Sequence, residues 1–268
     1  MGVDCDDVVL RFWAGNTGGR PHIATLWRDT VIWPSPSVNL HIAMSPPCTS
    51  LSNARSGATV EAKEAGLDGI RQSIDWVLAK GYTSWSLENV STPETRRVVN
   101  EYVEANPELV AWTVVDAYDH GAPTSRRRLI CGPPELVQAL REMPVRRVSI
   151  AEAFVAAGVD LPAQYIKNST RTRDGRPCLR SARGAAHTQT ASHPLMWANQ
   201  DGSTVKCLTV RHTAIIQSFP QTWMLPTSTR HAIHALGNAV CPVVGESIMR
   251  AAIAVWEMRA RQAKTCEV

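Results

Sequence analysis

Residues 39–48, NLHIAMSPPC, decide which fold the rest of the sequence can build. The apolar stretch 39–44 predicts a β-strand, and the two prolines after it stiffen a loop that ends in Cys48. Open α/β sheets bind their ligands at the carboxyl ends of their strands, and this loop starts at such an end. A single cysteine is also common in a protein core, so the neighbouring motifs must decide between a nucleophile and a packing residue.

The next segments alternate between helix and strand. Residues 59–80 carry apolar side chains at helical spacing and are followed by Gly81, which suits the residue after a helix. Residues 83–87 alternate in polarity and predict a short strand, and Pro93 favours the first turn of another helix. A strand, a helix and a further strand in this order predict a parallel sheet covered by helices.

The same alternation extends in both directions. Residues 8–10 are apolar and precede a glycine cluster at 12–19, which predicts a strand followed by a glycine-rich turn. Further strands are predicted at 109–115 and 129–131, and helices at 149–157, 211–218, 229–236 and 243–261. We therefore predict an α/β fold with a mostly parallel sheet and three parts: a catalytic and cofactor domain at 1–132, a target-recognition domain at 133–206, and a helical segment at 207–268 that returns to the catalytic domain.

Positive charge is concentrated in the middle of the chain. The 268 residues have a net charge of only +4, with 28 Lys and Arg against 24 Asp and Glu. Eleven arginines and Lys167 fall within residues 126–183, against five acids, which gives this segment a net charge of +7. Arginine suits phosphate and guanine contacts, so the segment favours a polyanion such as nucleic acid. A solvated arginine-rich surface would have the same composition.

Several classes of protein are not expected from the sequence. No apolar run approaches the length of a membrane helix, and the first residues carry aspartates rather than the basic start of a signal peptide. None of the seven cysteines forms a CxxC pair, so we expect no metal site. An odd number of cysteines without a secretory signal favours reduced thiols.

Three motifs are predicted to meet at one edge of the sheet. Cys48 follows one strand, and Glu88 with Asn89 ends the next strand. The basic run at 126–128 leads into a further strand. A thiol, a carboxyl group and guanidinium groups would then converge, which is a set suited to covalent and acid–base catalysis.

This ordered set resembles the DNA cytosine-5 methyltransferases. The family's Pro-Pro-Cys loop is matched at 46–48, and its Glu-Asn-Val motif at 88–90. Its Gln-x-Arg-x-Arg motif is matched at 124–128, with the Gln replaced and both arginines kept. The family also has two late motifs. The first, Leu-Thr-x-Arg-Glu followed by Leu-Gln-Gly-Phe-Pro, is matched at 208–220, with His212 for Glu and Ser218 for Gly. The second, Gly-Asn-Ala-Val-x-Pro, is matched at 237–242. The resemblance implies a Rossmann-like class I methyltransferase fold with helices on both faces of the sheet.

The resemblance also implies roles for individual residues. Cys48 would attack C6 of the cytosine, Glu88 would protonate N3, Arg128 would contact the base carbonyl, and Arg126 would hold the catalytic loop or a phosphate. Asn89 is interpreted as an organiser of the loop, although its motif also lies against the substrate. The residues predicted to contact substrate or DNA are Ser50, Asn89, Arg127, Arg171, Arg173, Arg180, Arg183, Thr188, Thr190 and Gly237.

The methyl donor implied by the family is S-adenosylmethionine. Its predicted contacts are Phe12, Gly15, Gly18, Gly19, Asp29, Pro47, Asn238 and Ala239. Only 28 residues separate Gly19 from Cys48, and Asp29 is the single acid between residues 20 and 44. The family places a carboxylate at the donor's ribose and two helices in this interval, so the region is shortened and Asp29 is the candidate for that carboxylate.

Three functions remain open at this point. The first is a DNA cytosine-5 methyltransferase that flips its target base out of duplex DNA. The second uses the same pocket with another electrophile at a pyrimidine C5. The third is a non-catalytic DNA-binding subunit that pairs with an active methyltransferase; a partner protein could also complete the donor site. We expect a location in the cytoplasm of a prokaryote or phage-infected cell, or in the nucleus or cytoplasm of a host cell for a eukaryotic virus.

Overall fold

The structure is a computed structural model that describes residues 2–4, 7–23, 35–36, 40–52, 57–172, 174–191 and 195–266. Its strands are β1 (Gly2–Asp4), β2 (Pro21–Ile23), β3 (Ile42–Met44), β4 (Trp85–Val90), β5 (Ala111–Asp116), β6 (Arg127–Gly132), β7 (Tyr165–Arg171), β8 (Pro177–Ser181), β9 (Met196–Ala198) and β10 (Thr204–Cys207). Its helices are α1 (Asp7–Thr17), α2 (Val60–Ala79), α3 (Pro93–Ala105), α4 (Pro134–Arg141), α5 (Ile150–Ala156), α6 (Val210–Ile216), α7 (Thr229–Asn238) and α8 (Pro242–Cys266).

The chain divides into two compact units. The first unit contains residues 1–34, 121–126 and 147–242, and the second contains residues 35–120, 127–146 and 243–268. The three-part division predicted from the sequence follows the chain, whereas these units are interleaved along it. The boundaries 1–132, 133–206 and 207–268 stay a prediction.

The second unit contains the sheet predicted from residues 39–132. Its strand order is β3-β4-β6-β5, with β3 parallel to β4 and β6 antiparallel to both β4 and β5. Three of the four strands therefore run in one direction. All six residues of β4 are buried, which fits a central strand with no polar alternation. The predicted α/β class is confirmed, whereas the sheet is mixed rather than mostly parallel, because only one of its three strand pairings is parallel.

The helices of this unit begin and end where local sequence requires it. The side chain of Thr59 caps α2 by accepting from the Ala62 amide at 3.2 Å. Gly81 follows α2 with φ of +71°, a conformation in which a Cβ would be strained. Helix α3 starts with a capping box between Thr92 and Thr95.

The first unit contains a second sheet, with strand order β10-β9-β7-β8 and antiparallel pairing throughout. A core of aromatic and aliphatic side chains supports it, including the fully buried Phe154, Ile166 and Trp197. Trp197 donates its Nε1 hydrogen to Nδ1 of His212 at 3.1 Å. This packing joins the sheet to α5 and α6 within the same unit.

One predicted strand is wrong. Residues 8–10 belong to α1, and within the described residues the three-residue strands β1 and β2 form a parallel pair on either side of this helix. Three apolar residues cannot by themselves distinguish a strand from a helix. Here they continue into Arg11 and Ala14 without a turn residue, and the helix ends only before Gly18, which has φ of +66°.

Candidate active site

The loop that carries Cys48 follows β3 directly. Cys48 is half-buried, and its carbonyl accepts from the Leu51 amide at 3.0 Å, which closes a turn around the thiol. Asn89, at the end of β4, is fully buried and donates its side-chain amide to the Pro46 carbonyl at 3.1 Å. Because β3 and β4 are parallel neighbours, this bond ties the cysteine loop to the end of the next strand.

Glu88 lies beside this loop with both carboxylate oxygens engaged. The Ser45 hydroxyl donates to Oε2 at 2.7 Å, and the Arg128 guanidinium Nε forms an ion pair with Oε1 at 3.0 Å. Glu88 is 7% exposed, and the side chain of Arg128 is 13% exposed. Residues 45–48, Glu88, Asn89 and Arg128 are called the nucleophile edge below.

The end of β4 is held in place by the start of α3. The Thr95 hydroxyl donates to the Val90 carbonyl at 2.7 Å, and the Asn89 side-chain oxygen accepts from the Val90 amide at 2.9 Å. These buried bonds satisfy the last carbonyl and amide groups of the strand. They leave Glu88 on a backbone that has little freedom to move.

Two glycines of α2 allow the cysteine loop to pack closely. A Cβ on Gly66 would lie 2.7 Å from Ser50 Oγ and 3.0 Å from Leu51 Cγ, whereas one on Gly69 would lie 3.6 Å from Pro46 Cβ. Ser50, predicted to contact substrate, is half-buried in this packing. Gly66 therefore sets how near the loop can come to the helix.

The other titratable groups of this unit are less suited to catalysis. Cys131, on β6, is fully buried, and burial raises the pKa of its thiol. His41 precedes β3 and lies between the hydroxyls of Ser84 and Ser86, at 2.9 and 3.0 Å. Burial lowers the pKa of His41 to about 4, so its imidazole is neutral at physiological pH.

Arg126 belongs to the first unit and is 3% exposed. Its guanidinium donates to three backbone carbonyls: Gln189 at 3.0 Å, Gly237 at 2.9 Å and Ala239 at 3.1 Å. We call these four residues the arginine hub. A group buried and bonded in this way organises the protein, so the phosphate contact considered for Arg126 is not what the structure shows.

Gly237 is a packing residue in this hub. A Cβ at this position would lie 2.4 Å from the Ala191 nitrogen and 2.5 Å from the Thr190 carbonyl carbon. The predicted DNA contact of Gly237 is not supported, because the residue is buried against backbone. Asn238 is exposed and pairs with His234 at 3.3 Å, and Ala239 is half-buried, so their predicted contact with the donor stays a prediction.

The predicted recognition stretch 186–190 runs alongside residues 123–126. The Ser125 amide donates to the Ala186 carbonyl at 3.0 Å, and the Thr188 hydroxyl donates to the Ser125 carbonyl at 2.6 Å. Thr188 and Thr190 are half-buried here. Thr188 therefore positions this stretch by its side chain, and the predicted DNA contact of both threonines stays a prediction.

The basic side chains predicted to contact DNA differ in exposure. Arg127, Arg171 and Arg183 are exposed, whereas Arg180 is half-buried and donates to the Ala186 carbonyl at 3.0 Å. Arg173 lies outside the described residues. Exposed arginines on β7 and beside β8 fit a surface that meets a polyanion.

The glycine cluster does not form the loop expected at a donor site. Phe12 and Gly15 lie inside α1, and Gly18 and Gly19 follow its C-terminal end. A Cβ on Gly19 would lie 2.2 Å from the Trp13 ring, and one on Gly15 would lie 2.9 Å from Met224 Cε. Trp13 and Met224 thus lie next to Gly19 and Gly15, whereas nothing lies within 4 Å of a Cβ on Gly18, and the predicted donor contacts of these residues stay a prediction. Asp29, the predicted ribose ligand, lies outside the described residues.

The described residues can also be considered for a metal-binding cluster and for a helix that could cross a membrane. No group of three or more His, Cys, Asp or Glu side chains in these ranges could hold a metal ion. One apolar helical stretch, 229–263, is long enough to cross a membrane by length and composition. It consists of α7 and α8, separated by the extended Ala239. Ala251 and Ala252 are fully buried on α8, as in a core helix.

Part of the chain matches a known protein family. Residues 142–254 match the model of the C-5 cytosine-specific DNA methylase family. Over these residues, which are less than half of the chain, the sequence is similar to that family. The resemblance seen in the sequence is thus confirmed, and so is an enzyme of the methyltransferase kind. The methylase family acts on DNA and uses S-adenosylmethionine as its methyl donor.

Solved structures support the methylase fold. A protein described as a DNA modification methyltransferase encoded within an E. coli prophage is 16% identical, with a TM-score of 0.60 over 93% of this chain and 90% of its own. The S. pombe Dnmt2 methyltransferase is 11% identical, with a TM-score of 0.57 over 97% and 90%. The Entamoeba histolytica methyltransferase EhMeth is 13% identical, with a TM-score of 0.51 over 95% and 89%. No curated protein matches the chain.

Some residues that organise the site were not singled out from the sequence. The sequence marks Ser45 only as part of the Cys48 loop and Gln217 only as part of a late motif, and it indicates no partner for either side chain. Gln217 is fully buried, donates to the Leu236 carbonyl and accepts from the Cys241 thiol at 3.2 Å. A polar side chain inside an apolar helical stretch was the available signal for Gln217. Nothing local distinguished Ser45 from other loop serines.

Proposed function

We propose that this protein transfers a methyl group to C5 of a cytosine in DNA, with Cys48 as the covalent nucleophile. The observation that carries the proposal is the nucleophile edge. Glu88 is fixed there by Ser45 and Arg128, and the adjacent Asn89 holds the loop that presents Cys48. A binding module would need neither a presented thiol nor a fixed carboxyl group.

The first chemical step is addition to the base. Cytosine C5 becomes nucleophilic only after the Cys48 thiolate forms a bond to C6. Negative charge then develops on the ring, and the protonated Glu88 carboxyl gives its proton to N3. The target base must leave the duplex for its C6 to reach a half-buried thiol.

The second step completes the substitution. C5 would take the methyl group from the donor, whose own bond to that methyl breaks and leaves its electrons on the donor, and the C5 proton is then lost to solvent. The electrons of the C5–H bond restore the C5–C6 double bond as the sulfur leaves C6, and the N3 proton returns to Glu88. Arg128 would contact the base carbonyl, which agrees with its fixed position beside Glu88.

The test measures the product without assuming a donor. DNA is exposed to the protein in cells, and its nucleosides are analysed by mass spectrometry. We expect 5-methylcytosine with the wild type and none with Cys48→Ser. The matched control is Cys207→Ser, which removes an exposed thiol on β10 and should leave methylation unchanged. Unmodified DNA with the wild type would overturn the proposal.

A second experiment tests the covalent step. In the presence of S-adenosylmethionine, DNA that contains 5-fluorocytosine retains the enzyme, because after methyl transfer C5 carries fluorine instead of a proton and the fluorine cannot leave. We expect a covalent complex with the wild type and with Cys207→Ser, but not with Cys48→Ser. Retention that persists in Cys48→Ser would place the nucleophile elsewhere.

One observation favours a second candidate. Gly15 lies inside α1 and Gly18 and Gly19 follow its end, so the nucleophile edge is better formed than the strand-to-helix turn expected at the donor. An enzyme with the same Cys, Glu and Arg set could deliver another electrophile to a pyrimidine C5. The same mass spectra separate the two, because another group at C5 gives a different mass increment.

A further inference from the structure

The contacts of Glu88 differ in what they can do with a proton. Arg128 carries a guanidinium that stays protonated at all physiological pH, so it can only donate. The Ser45 hydroxyl can donate through its hydrogen and accept through its lone pairs at the same time. Of the two described side chains that contact the carboxylate oxygens, Ser45 is the one that can pass a proton on.

Exposure gives Ser45 a route to solvent. Ser45 is an exposed residue, whereas Glu88 is 7% exposed. The bond from Ser45 Oγ to Glu88 Oε2 is 2.7 Å, which is the usual length of a strong hydroxyl–oxygen hydrogen bond. The hydroxyl therefore bridges a nearly buried carboxyl group and water.

The position of Ser45 in the sequence also favours a contact with Glu88. Ser45 is the first residue after β3 and lies three residues before Cys48, in the loop that Pro46 and Pro47 stiffen. Asn89 fixes the next residue, Pro46, to the end of β4. The Ser45 hydroxyl is thus held at the carboxyl group by the same bond that presents the thiol.

We propose that Ser45 is a positioning residue that holds Glu88 and relays protons between solvent and Glu88 Oε2. This rests on the proposed function. Before each addition, a hydronium ion of the solvent gives a proton to Ser45 Oγ and becomes water, while the Ser45 hydroxyl proton moves to Oε2. The hydroxyl is regenerated, and the carboxylate becomes the acid that can protonate N3.

The test compares Ser45→Ala with Ser45→Thr, which keeps the hydroxyl. Exchange of the cytosine C5 hydrogen with solvent, followed as tritium release from labelled DNA, reports addition and N3 protonation without the methyl donor. We expect Ser45→Ala to slow exchange at least tenfold, by the order of magnitude for general acid catalysis, and increasingly so as the pH rises. We expect Ser45→Thr to restore most of the rate. Ser73→Ala is the control, because its hydroxyl donates to the Gly69 carbonyl in α2 instead.

A second readout does not depend on activity. The Glu88 carboxyl carbon is observed by 13C NMR in the whole protein, with its signal assigned by Glu88→Gln. We expect its chemical shift at one fixed pH to move in Ser45→Ala and to stay in Ser73→Ala. An unmoved chemical shift, or a rate loss that is equal at every pH, would overturn the relay.

The two proposals can fail separately. If the wild type gives neither exchange nor modified nucleosides, the proposed function fails. In that event the 13C chemical shift still decides whether Ser45 contacts the Glu88 carboxyl group.

Discussion

The nucleophile edge and the arginine hub both consist of residues from the family motifs, yet they use them differently. At the nucleophile edge, Cys48 is half-buried and Arg128 pairs with a carboxylate, so polar groups remain available to a substrate. At the hub, Arg126 is 3% exposed and is bonded to backbone carbonyls. Two arginines of one motif, separated by one residue, therefore differ in their partners, which are a carboxylate in one case and backbone carbonyls in the other.

The difference teaches that a motif residue has to be judged by the groups around it. An exposed or paired charge can change partners during a reaction. A buried guanidinium that satisfies several carbonyls cannot leave them without a large cost in free energy, because the carbonyls would lose their donor. Variants of the hub should therefore reduce stability, and variants of the nucleophile edge should reduce turnover.

The largest effect is expected for Arg126→Ala. This variant removes a donor from three carbonyls and leaves a cavity, so we expect it to lower the free energy of unfolding by about 3–5 kcal/mol. Urea denaturation followed by circular dichroism measures the loss. The control is Arg127→Ala, because the neighbouring exposed side chain should contribute less than about 0.5 kcal/mol. Equal stability of the two variants would remove the distinction between the hub and its surroundings.

Gly237→Ala should come next. Its Cβ would lie 2.4 Å from a backbone nitrogen, so either α7 or residues 190–191 must shift. We expect a loss of about 2–3 kcal/mol in the free energy of unfolding. Gly245→Ala is matched to it, since a Cβ there meets nothing within 4 Å and alanine is the better helix residue. Wild-type stability of Gly237→Ala would show that the segment is not packed as described.

Gly66→Ala tests the nucleophile edge in the same way. The added Cβ presses on Ser50 and Leu51, so the loop that carries Cys48 should move by a few tenths of an ångström. We expect the methylation kcat to fall about tenfold while the melting temperature changes little, because reactive groups must be placed accurately. Gly69→Ala, with 3.6 Å to Pro46, should retain turnover. If both variants behave alike, close packing against α2 does not place the thiol.

The smallest effect is a gain in stability from Ser218→Gly. Ser218 follows α6 with φ of +64°, and its amide donates to the Ile215 carbonyl while the Phe219 amide donates to the Ala214 carbonyl. This is a Schellman cap, whose left-handed residue is normally glycine. We therefore expect Ser218→Gly to raise the free energy of unfolding by about 0.5–1 kcal/mol, as measured by thermal unfolding. Ser228→Gly, at the N-cap of α7, should instead lose a few tenths of a kcal/mol. A loss in Ser218→Gly would mean that its side chain outweighs the backbone strain.

Much of the second unit could be predicted from the sequence. The helix at 59–80 and the strands at 83–87 and 109–115 match α2, β4 and β5 within a few residues, because long periodic patterns and caps are local signals. The meeting of Cys48, Glu88 and Asn89 was predictable for the same reason: parallel neighbouring strands end at one edge of a sheet.

The glycine cluster shows where the same reasoning failed. The letters of a strand-to-helix turn are present at 12–19, but the three apolar residues before them were too few to specify a strand. In the structure these residues belong to α1, and Gly18 and Gly19 follow the end of this helix instead of preceding the start of another.

By itself, the sequence determined the α/β class, the order of the motifs and the thiol and carboxyl group of the proposed chemistry, since these follow from local periodicity and residue type. Only the tertiary structure decided that Arg126 is bonded inside a hub, that Gly237 packs against backbone and that Ser45 contacts Glu88. Such roles depend on partners that lie from 43 to 113 residues away along the chain, and local sequence contains no record of which distant groups will be neighbours.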